Sequence, residues 1–420
     1  MTEKLLQFIW QFQYFNRSNL TTEGGESIDI MSPGTLNTNQ GPDFLNARIR
    51  IGSTILAGSV ELHLKTKQWN EHYHSEDPNY NNVILHVVYQ HDPHFVPQLP
   101  TLELQSRISY VFLERYQKLM DAPASIACSG SIHLVKELTW VSWKERLVAE
   151  RLSRKAQQVD LYLKATTNHW EESFWWLLAR YFGSKVNADA FEAIARSVPL
   201  SLLARHKNQI HQLEALLLGQ AGMLEGTFSE GYSILLQREY QFLRKKYQLQ
   251  PVGIPVHFLR MRPGNFPSLR LAQLAMLISQ SSHLLSYIKE CGQLSDIRNF
   301  FNVAPNDYWL YHYRLDHPGP YKLKKLGAEM IDLLIINTVV PILYAYGIFF
   351  QEERYCAKAI RWLEETDAEQ NNIVKGFKPY VPPVHTAFDS QALIELKTQY
   401  CDPKRCLQCS IGHAIFSAEQ

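Results

Sequence analysis

The sequence predicts an α+β protein in which an N-terminal α/β domain, residues 1–125, precedes an all-helical domain, residues 135–420. Strand-like apolar runs concentrate in the first part, whereas apolar residues at helical spacing dominate the second part. A small, polar segment, DAPASIACSGSI at 121–132, separates the two patterns and marks the boundary. At 420 residues the chain is too long for one simple core, which supports a division into domains.

The N-terminal domain is predicted to alternate between helices and strands. Two strands, 44–51 and 55–65, are joined by a tight Gly52-Ser53 turn. NVILHVVYQHD is a continuous apolar run, which is typical of a strand buried on both faces. The other predicted elements are a helix at 3–16, a strand at 27–32, a short helix within 66–82, a strand at 101–106 and a helix at 107–120.

The C-terminal domain is predicted to contain roughly ten amphipathic helices. Its longest apolar stretch, 330–350, contains Asp, Asn and Pro, which favours a buried helix over a membrane span. The N-terminus lacks the uninterrupted apolar core and the small-residue cleavage site of a signal peptide. Six scattered cysteines do not form a secreted disulfide framework. These observations predict a cytoplasmic protein with no membrane partner.

The most informative stretch is GPDFLNARIRIGSTILAGSVELHLK, residues 41–65. Successive side chains of a strand alternate between its faces, so Glu61, His63 and Lys65 point to the same side. The predicted hairpin brings Asp43 close to them. Two carboxylates, an imidazole and an ammonium on one sheet face are not a core pattern, and they match the needs of a divalent-metal phosphodiester site.

This chemistry assigns a role to each of the four side chains. Divalent ions stabilise charge on the phosphate and lower the pKa of an attacking water. Because hard cations prefer carboxylate oxygens, Asp43 and Glu61 are predicted ligands of Mg²⁺ or Mn²⁺. Lys65 is predicted to position water or phosphate, and His63 to act as a ligand or general base. The alternative is that Asp43 caps a turn while Glu61 and Lys65 form an exposed ion pair.

The order of a PDF motif, a hairpin and then VELHLK resembles that of the PD-(D/E)xK nuclease superfamily. In that superfamily Pro-Asp opens one strand, and an acid-x-Lys triplet lies on the next strand. The resemblance implies a restriction-endonuclease-like core and hydrolysis of nucleic acid. The sequence departs from the family, because Lys65 lies four residues after Glu61 and His63 takes the acidic place of the triplet. Either Glu61 keeps the metal, or His63 replaces the acid and shifts the preference toward Mn²⁺ or Zn²⁺.

A second resemblance extends over nearly the whole chain. It is to an uncharacterised bacterial family known only as a domain of unknown function. The resemblance implies a shared fold and leaves the activity open. The segments that carry it are GPDFLNARI, VELHLK, QWNEHYH, YNNVILHVV, RPGNFPSLRLAQLA and YCDPKRCLQCSIG.

Histidines are dense just after the hairpin. His72, His74 and Asp77 are similar to the HxHxDH box of zinc hydrolases, but the spacing differs and no histidine follows Asp77 directly. We expect Trp69, His72 and His74 to line the cleft beside the carboxylates and to contact a phosphate or base. His86, inside an apolar strand, is either a core histidine or a hydrogen-bonding partner of a ligand residue.

Arg260, Arg262 and Arg270 flank an irregular link that is predicted to enter a helix at about Pro267. Guanidinium groups near a helix N-terminus hold phosphates in many proteins, which makes these arginines candidate substrate-binding residues. The alternative is that they tie helix ends together through carboxylates.

The C-terminal segment contains Cys401, Cys406 and Cys409 in a C-x4-C-x2-C pattern. Closely spaced thiolates in a reducing compartment usually bind metal, so a metal such as Zn²⁺ is predicted here. An iron–sulfur cluster is what the nuclease resemblance implies, since some nucleases of that superfamily and some base-excision glycosylases hold one with C-terminal cysteines, although their spacing differs from this motif. The alternative is three partly buried thiols without a metal. Three ligands leave a tetrahedral site incomplete, and the candidates for the fourth are His413, Cys356 and Cys128.

Together these patterns predict a metal-dependent phosphodiester hydrolase that acts on nucleic acid. The formal net charge is +1, so no global basic field attracts nucleic acid, and binding depends on local patches. Near-neutral charge favours the competing function, a nuclease-like fold that has lost catalysis and binds nucleic acid or protein.

Overall fold

The computed structural model describes residues 1–37, 39–95, 99–122, 125–259, 261–281 and 283–417, and its fold is α+β as predicted. All strands of the described chain precede residue 104, and helices dominate the remainder. The strands are β1 (Ile28–Ser32), β2 (Thr35–Leu36), β3 (Phe44–Ile51), β4 (Thr54–Lys65), β5 (Val83–Gln90) and β6 (Thr101–Glu103).

The α-helices vary from a single turn to the eight turns of α4. A π-helical turn, Ile335–Val339, joins α14 to α15, and a second one, Leu396–Cys401, follows the end of α18. The helices are α1 (Glu3–Phe12), α2 (Gln68–Glu71), α3 (Tyr110–Asp121), α4 (Glu137–Ala165), α5 (Trp170–Phe182), α6 (Ser184–Ser197), α7 (Leu200–Arg205), α8 (Ile210–Gln220), α9 (Gly231–Tyr247), α10 (Pro267–Gln280), α11 (Leu284–Glu290), α12 (Leu294–Phe301), α13 (Tyr308–Tyr311), α14 (Ala328–Leu334), α15 (Val340–Phe350), α16 (Glu353–Glu364), α17 (Asn372–Phe377), α18 (Ala387–Glu395) and α19 (Ser410–Ser417).

The chain divides into two compact units. The sheet unit comprises Met1–Trp140 together with Thr398–Gln420, and the helical unit comprises Val141–Lys397. The sequence prediction ended the first domain at residue 125 and assigned everything after 135 to the helical domain. In the structure the segment with the C-terminal cysteines belongs to the sheet unit instead, through contacts that are remote in sequence.

The sheet is mixed, with strand order β1-β3-β4-β5-β6 and with β2 also paired to β3. β3 and β4 form the predicted antiparallel hairpin, in which Ile51 pairs with Thr54. Gly52 has a φ of +57°, the left-handed backbone that a two-residue turn requires. β4 runs parallel to β5. A link between parallel strands must cross back over the sheet, so residues 66–82 cover one face of it.

Alternate residues of β4 and β5 face a hydrophobic core. Val60, Leu62, Leu85 and Val87 are each at most 2% exposed. They pack with α1, whose sequence places apolar residues at helical spacing. The intervening polar residues of the two strands therefore point to the opposite face, beneath the crossing link. The α1 residues in this core are Leu5, Leu6, Phe8, Ile9 and Trp10.

β3 begins with a β-bulge, since its register with β4 shifts between Phe44 and Ala47. Asn46 accommodates the bulge with a left-handed φ of +59°. Gly34 packs so closely that a Cβ there would lie 2.8 Å from a backbone oxygen of β3, so only glycine fits. The bulge begins directly after Asp43, the residue that precedes the strand.

α14, the π turn and α15 form a continuous helix, Ala328–Phe350, that is long and apolar enough to cross a membrane by length and composition alone. In the structure 61% of its most apolar window is buried. Residues 330–350 are thus helical, as the sequence predicts. Cytoplasmic localisation itself stays a prediction.

The helical unit buries a carboxylate. Glu214 on α8 is fully buried, and its Oε2 accepts hydrogen bonds from the Tyr232 hydroxyl and from Trp309 Nε1, both at 2.9 Å. Burial raises the pKa of Glu214 to about 7, although the two hydrogen bonds oppose the shift. At mildly acidic pH the folded state therefore holds a proton that the unfolded chain releases.

Replacement of Glu214 by Gln should flatten the pH dependence of stability. The stabilisation from protonated Glu214 is complete below its ordinary pKa of 4.5 and is lost as the pH rises through about 7. Between about pH 5 and pH 8 we expect wild-type stability to fall by roughly 2–3 kcal/mol more than that of Glu214→Gln. Urea unfolding measures this difference, with exposed Glu225→Gln as the control. Parallel curves of unfolding free energy against pH for wild type and Glu214→Gln would contradict the prediction.

Candidate metal centre

The face of β4 that points away from the hydrophobic core carries Glu61 and His63. His86 of β5 lies beside them, as the pairing partner of Glu61 in the parallel register. All three side chains are buried, with exposures of 6%, 2% and 2%. Polar groups withdrawn from water are costly unless they find partners. Those partners come from the link that crosses this face.

The crossing link, residues 66–82, folds its aromatic and imidazole side chains onto the sheet. Trp69 of α2 is buried, and its ring lies 5.3 Å from the rings of both His74 and His86. Tyr73 has a left-handed φ of +58°, which reverses the chain between α2 and the 3₁₀ turn His74–Glu76. The reversal turns His72 and His74 toward the same point.

Four potential ligand atoms converge there. His63 Nε2 lies 3.1 Å from His72 Nδ1 and 3.3 Å from His74 Nε2. Glu61 Oε1 lies 3.5 Å from each of His63 Nε2 and His74 Nε2. The three imidazole ligand atoms all lie within 4.8 Å of one another. We call Glu61, His63, His72 and His74 the imidazole–carboxylate cluster.

These separations fit a bound ion. Metal–nitrogen and metal–oxygen bonds of about 2.0–2.2 Å place the ligands of a tetrahedral ion roughly 3.3–3.5 Å apart. The separations of 3.1, 3.3 and 3.5 Å lie around that value. His63 Nε2 faces two imidazoles and a carboxylate at once, and one shared proton cannot satisfy all three contacts. A cation at their centre satisfies every one of them.

His86 orients the central imidazole. His63 Nδ1 lies 2.9 Å from His86 Nε2, and both rings are buried. If His63 Nδ1 carries the proton and donates it to His86 Nε2, the lone pair of His63 Nε2 faces the cluster. Metal-binding histidines are commonly held in this way by a hydrogen bond from the second ring nitrogen. This contact favours the interpretation of His86 as a hydrogen-bonding partner of a ligand residue over its interpretation as a core histidine.

Asp43 orients the carboxylate. Its backbone N–H donates to Glu61 Oε2 at 3.0 Å, which leaves Oε1 to face the imidazoles. The Asp43 side chain accepts hydrogen bonds from the Leu62 N–H at 3.0 Å and from Gln7 Nε2 at 2.7 Å. The direct contacts of the Asp43 carboxylate are thus with α1 and β4, although each oxygen keeps a second lone pair for a cation.

Burial dominates the electrostatics of the cluster. It lowers the pKa of His63 to about 2, with further lowering by His86, His74 and His72. It raises the pKa of Glu61 to about 8, with Asp43 as the next contributor, and the pKa of Asp43 to about 6. Burial also lowers the pKa of His74, so the His63 and His74 imidazoles are neutral at pH 7 and their 3.5 Å contacts with Glu61 are not ion pairs. The site lacks a positive charge that a metal ion would supply.

Tyr80 joins the site, although the sequence analysis did not single it out. Its ring stacks on His74 with a centroid distance of 3.8 Å. Burial, followed by the Glu61 and Asp43 carboxylates, raises the pKa of Tyr80 to about 12, so its hydroxyl stays protonated. Its one signal in the sequence was its place at the start of YNNVILHVV, and it lies in a 3₁₀ turn, Pro78–Tyr80, beyond the histidines.

The remaining predicted side chains lie in different surroundings. Lys65 is exposed at the end of β4, while its backbone N–H donates to Gln68 Oε1 at 2.8 Å. The predicted exposed pair between Glu61 and Lys65 does not fit, since Glu61 is buried.

The arginines belong to the helical unit. Arg270 is buried and donates to Gln273 Oε1 at 2.9 Å and to Asn265 Oδ1 at 2.6 Å, so its partners are amides rather than the expected carboxylates. Arg262 is exposed. Arg260 lies outside the described residues.

Comparison with known proteins supports one of the two resemblances. A family model described as a protein of unknown function (DUF2851) matches residues 3–372, which include the sheet and the whole imidazole–carboxylate cluster. The matched region ends before the C-terminal cysteines. Searches of curated proteins and of solved structures found no match. The resemblance to PD-(D/E)xK nucleases is therefore not confirmed.

Loss of one imidazole should weaken metal binding. We expect the metal-free protein to bind Mn²⁺, and His72→Gln to lower the affinity at least about tenfold, since a ligand is removed. Electron paramagnetic resonance of free Mn²⁺ during a titration measures the affinity. Mn²⁺ is chosen because it favours nitrogen and oxygen ligands over thiolates. The exposed His94→Gln variant is the control. Equal affinities of wild type and His72→Gln would argue against the cluster as the binding site.

Proposed function

We propose that this chain, which belongs to the DUF2851 family, is a metal-dependent phosphodiester hydrolase that acts on nucleic acid. The observation that supports it most is the convergence of imidazole nitrogens and a Glu61 oxygen on one point, at separations of 3.1–3.5 Å. Burial lowers the pKa of His63 and of His74, so their lone pairs are free to bind a cation.

The coordination number distinguishes a catalytic ion from a structural ion. Four protein ligands complete a tetrahedral Zn²⁺ site and leave no position for substrate. A six-coordinate ion with the same four ligands keeps two positions for water and a phosphate oxygen. Mixed imidazole and carboxylate ligands suit Mn²⁺ better than Mg²⁺. We therefore infer that Mn²⁺ supports the reaction and that Zn²⁺ occupies the cluster without supporting it.

The exposed edge of the cluster offers a route for an anionic substrate. His72 is exposed, whereas the other three members are buried, so substrate approaches beside His72. Lys65 lies on the His63 face of β4, about 7 Å further along the strand, and supplies a positive charge for a phosphate. When bound, the ion polarises the phosphate and lowers the pKa of a water. Tyr80, protonated and stacked on His74, offers a hydrogen bond to the leaving oxygen.

The competing function is a binding module without catalysis. It is favoured by the same four ligands, because they suffice for a closed Zn²⁺ site that only stabilises the fold. The formal net charge of +1 also provides no global attraction for nucleic acid. In that case the protein would bind its partner equally well with Zn²⁺ or Mn²⁺ and would cleave nothing.

A cleavage assay separates these functions. Single- and double-stranded DNA and RNA are incubated with the metal-free protein, to which Mn²⁺, Mg²⁺ or Zn²⁺ is added. We expect cleavage with Mn²⁺, a loss of at least about 100-fold in Glu61→Gln and His63→Gln, and a smaller loss in Lys65→Ala, because Lys65 contributes charge but no metal ligand.

The exposed His94→Gln variant is the matched control and should cleave like wild type. Cleavage that survives in both Glu61→Gln and His63→Gln would place the active site elsewhere. Binding of nucleic acid without cleavage under any metal would establish the binding module instead.

A further inference from the structure

The C-terminal segment packs into the sheet unit beside Cys128. α19 contacts α3 and two 3₁₀ turns, Ile132–Leu134 and Cys406–Gln408. Phe416 of α19 is part of the hydrophobic core of this unit. Cys128 and Leu407 both pack against the same core. Two segments that lie far apart in sequence therefore meet at one place.

Tight turns fold the C-x4-C-x2-C motif onto itself. The Lys404 N–H donates to the Cys401 carbonyl at 3.1 Å, and the Cys409 N–H donates to the Cys406 carbonyl at 3.3 Å. Gly412 brings α19 against the motif, since a Cβ there would lie only 2.2 Å from the Cys406 carbonyl oxygen. The backbone thus holds the three motif cysteines in a compact loop at the start of α19.

The structure distinguishes the three candidates for a fourth ligand. His413 Nε2 lies 2.9 Å from the Tyr14 hydroxyl, and its ring centroid lies 4.4 Å from that of Phe12, so it belongs to an aromatic cluster. Cys356 belongs to the helical unit, where its Sγ faces the Tyr344 carbonyl at 3.7 Å.

Cys128 lies at the same part of the core as the motif. Its side chain packs against the hydrophobic core that Leu407, the residue after Cys406, also contacts, and α19 contacts the turn Ile132–Leu134 that follows Cys128 in the chain. Cys409 is buried, and the other three thiols of this group are half-buried.

We propose that Cys128, Cys401, Cys406 and Cys409 form a four-cysteine metal centre, which we call the thiolate centre. Four thiols bind the metal as thiolates and release one proton each. Thiolate ligands select zinc or an iron–sulfur cluster over the harder ions suited to the imidazole–carboxylate cluster. The proposal does not depend on the hydrolase function, because it rests on other residues and another ligand type.

The four thiols of the thiolate centre move closer together when the metal binds. Among the residues that the structure describes, only the imidazoles of the imidazole–carboxylate cluster bring three potential ligand atoms within 4.8 Å of one another. Zinc–sulfur bonds of about 2.3 Å require sulfur atoms about 3.8 Å apart. Rotation of the cysteine side chains toward a common point is therefore part of binding. The bound metal would tie the C-terminal segment to the loop before Ile132–Leu134.

Cobalt substitution tests the thiolate centre separately from the imidazole–carboxylate cluster. Co²⁺ bound by thiolates gives an intense sulfur-to-metal charge-transfer absorption, which imidazole and carboxylate ligands do not give. We expect this absorption in the wild-type protein, a weaker absorption in Cys128→Ser because one of the four Co–S bonds is lost, and an unchanged absorption in Cys356→Ser, the matched control in the helical unit. Absence of the absorption in wild type, or an undiminished absorption in Cys128→Ser, would overturn the proposal.

A second measurement needs no variant that folds poorly. Wild-type protein, purified without oxygen, is alkylated before and after chelation, and the modified cysteines are identified by mass spectrometry. We expect Cys128, Cys401, Cys406 and Cys409 to become reactive together after chelation, whereas Cys291 and Cys356 do not change. Metal and sulfide analysis then distinguishes zinc from iron–sulfur loading. Reactivity of Cys128 that does not respond to chelation would overturn the proposal.

Discussion

The structure of the sheet unit depends on one constraint: β4 and β5 are buried on both faces, and the two faces differ in chemistry. Val60 and Leu62 meet the apolar side of α1, while Glu61 and His63 lie beneath the crossing link. Loss of water on that second face keeps the His63 imidazole neutral and favours a proton on the Glu61 carboxylate. Desolvation of the polar groups on this face costs folding free energy, and the same desolvation favours the binding of a cation there.

The parallel pairing of β4 and β5 assembles the cluster. Parallel neighbours need a connection that returns across the sheet, and here the connection supplies His72 and His74 to a strand that already carries Glu61 and His63. An antiparallel hairpin at this place would have kept the two histidines at the sheet edge. The strand topology therefore determines which ligand residues come together.

Strand alternation and turn chemistry were sufficient to predict the α+β fold, the Gly52 hairpin and the shared face of Glu61 and His63. Pattern alone could not show that His74 contacts His63, because the chain reverses just before His74 at the left-handed Tyr73. The hydrogen bond from Gln7 to Asp43 also escaped prediction, since it joins a helix and a strand entry far apart in sequence. The packing of Thr398–Gln420 with the sheet unit escaped prediction for the same reason, since local periodicity carries no information on long-range packing.

The return of Thr398–Gln420 to the sheet unit constrains the order in which the protein can fold during synthesis. Phe416 fills the core between Phe8 and Phe112, with ring distances of 5.9 and 5.5 Å, yet it leaves the ribosome only after the entire helical unit. The core of the sheet unit therefore cannot be completed until residues 141–397 have been synthesised.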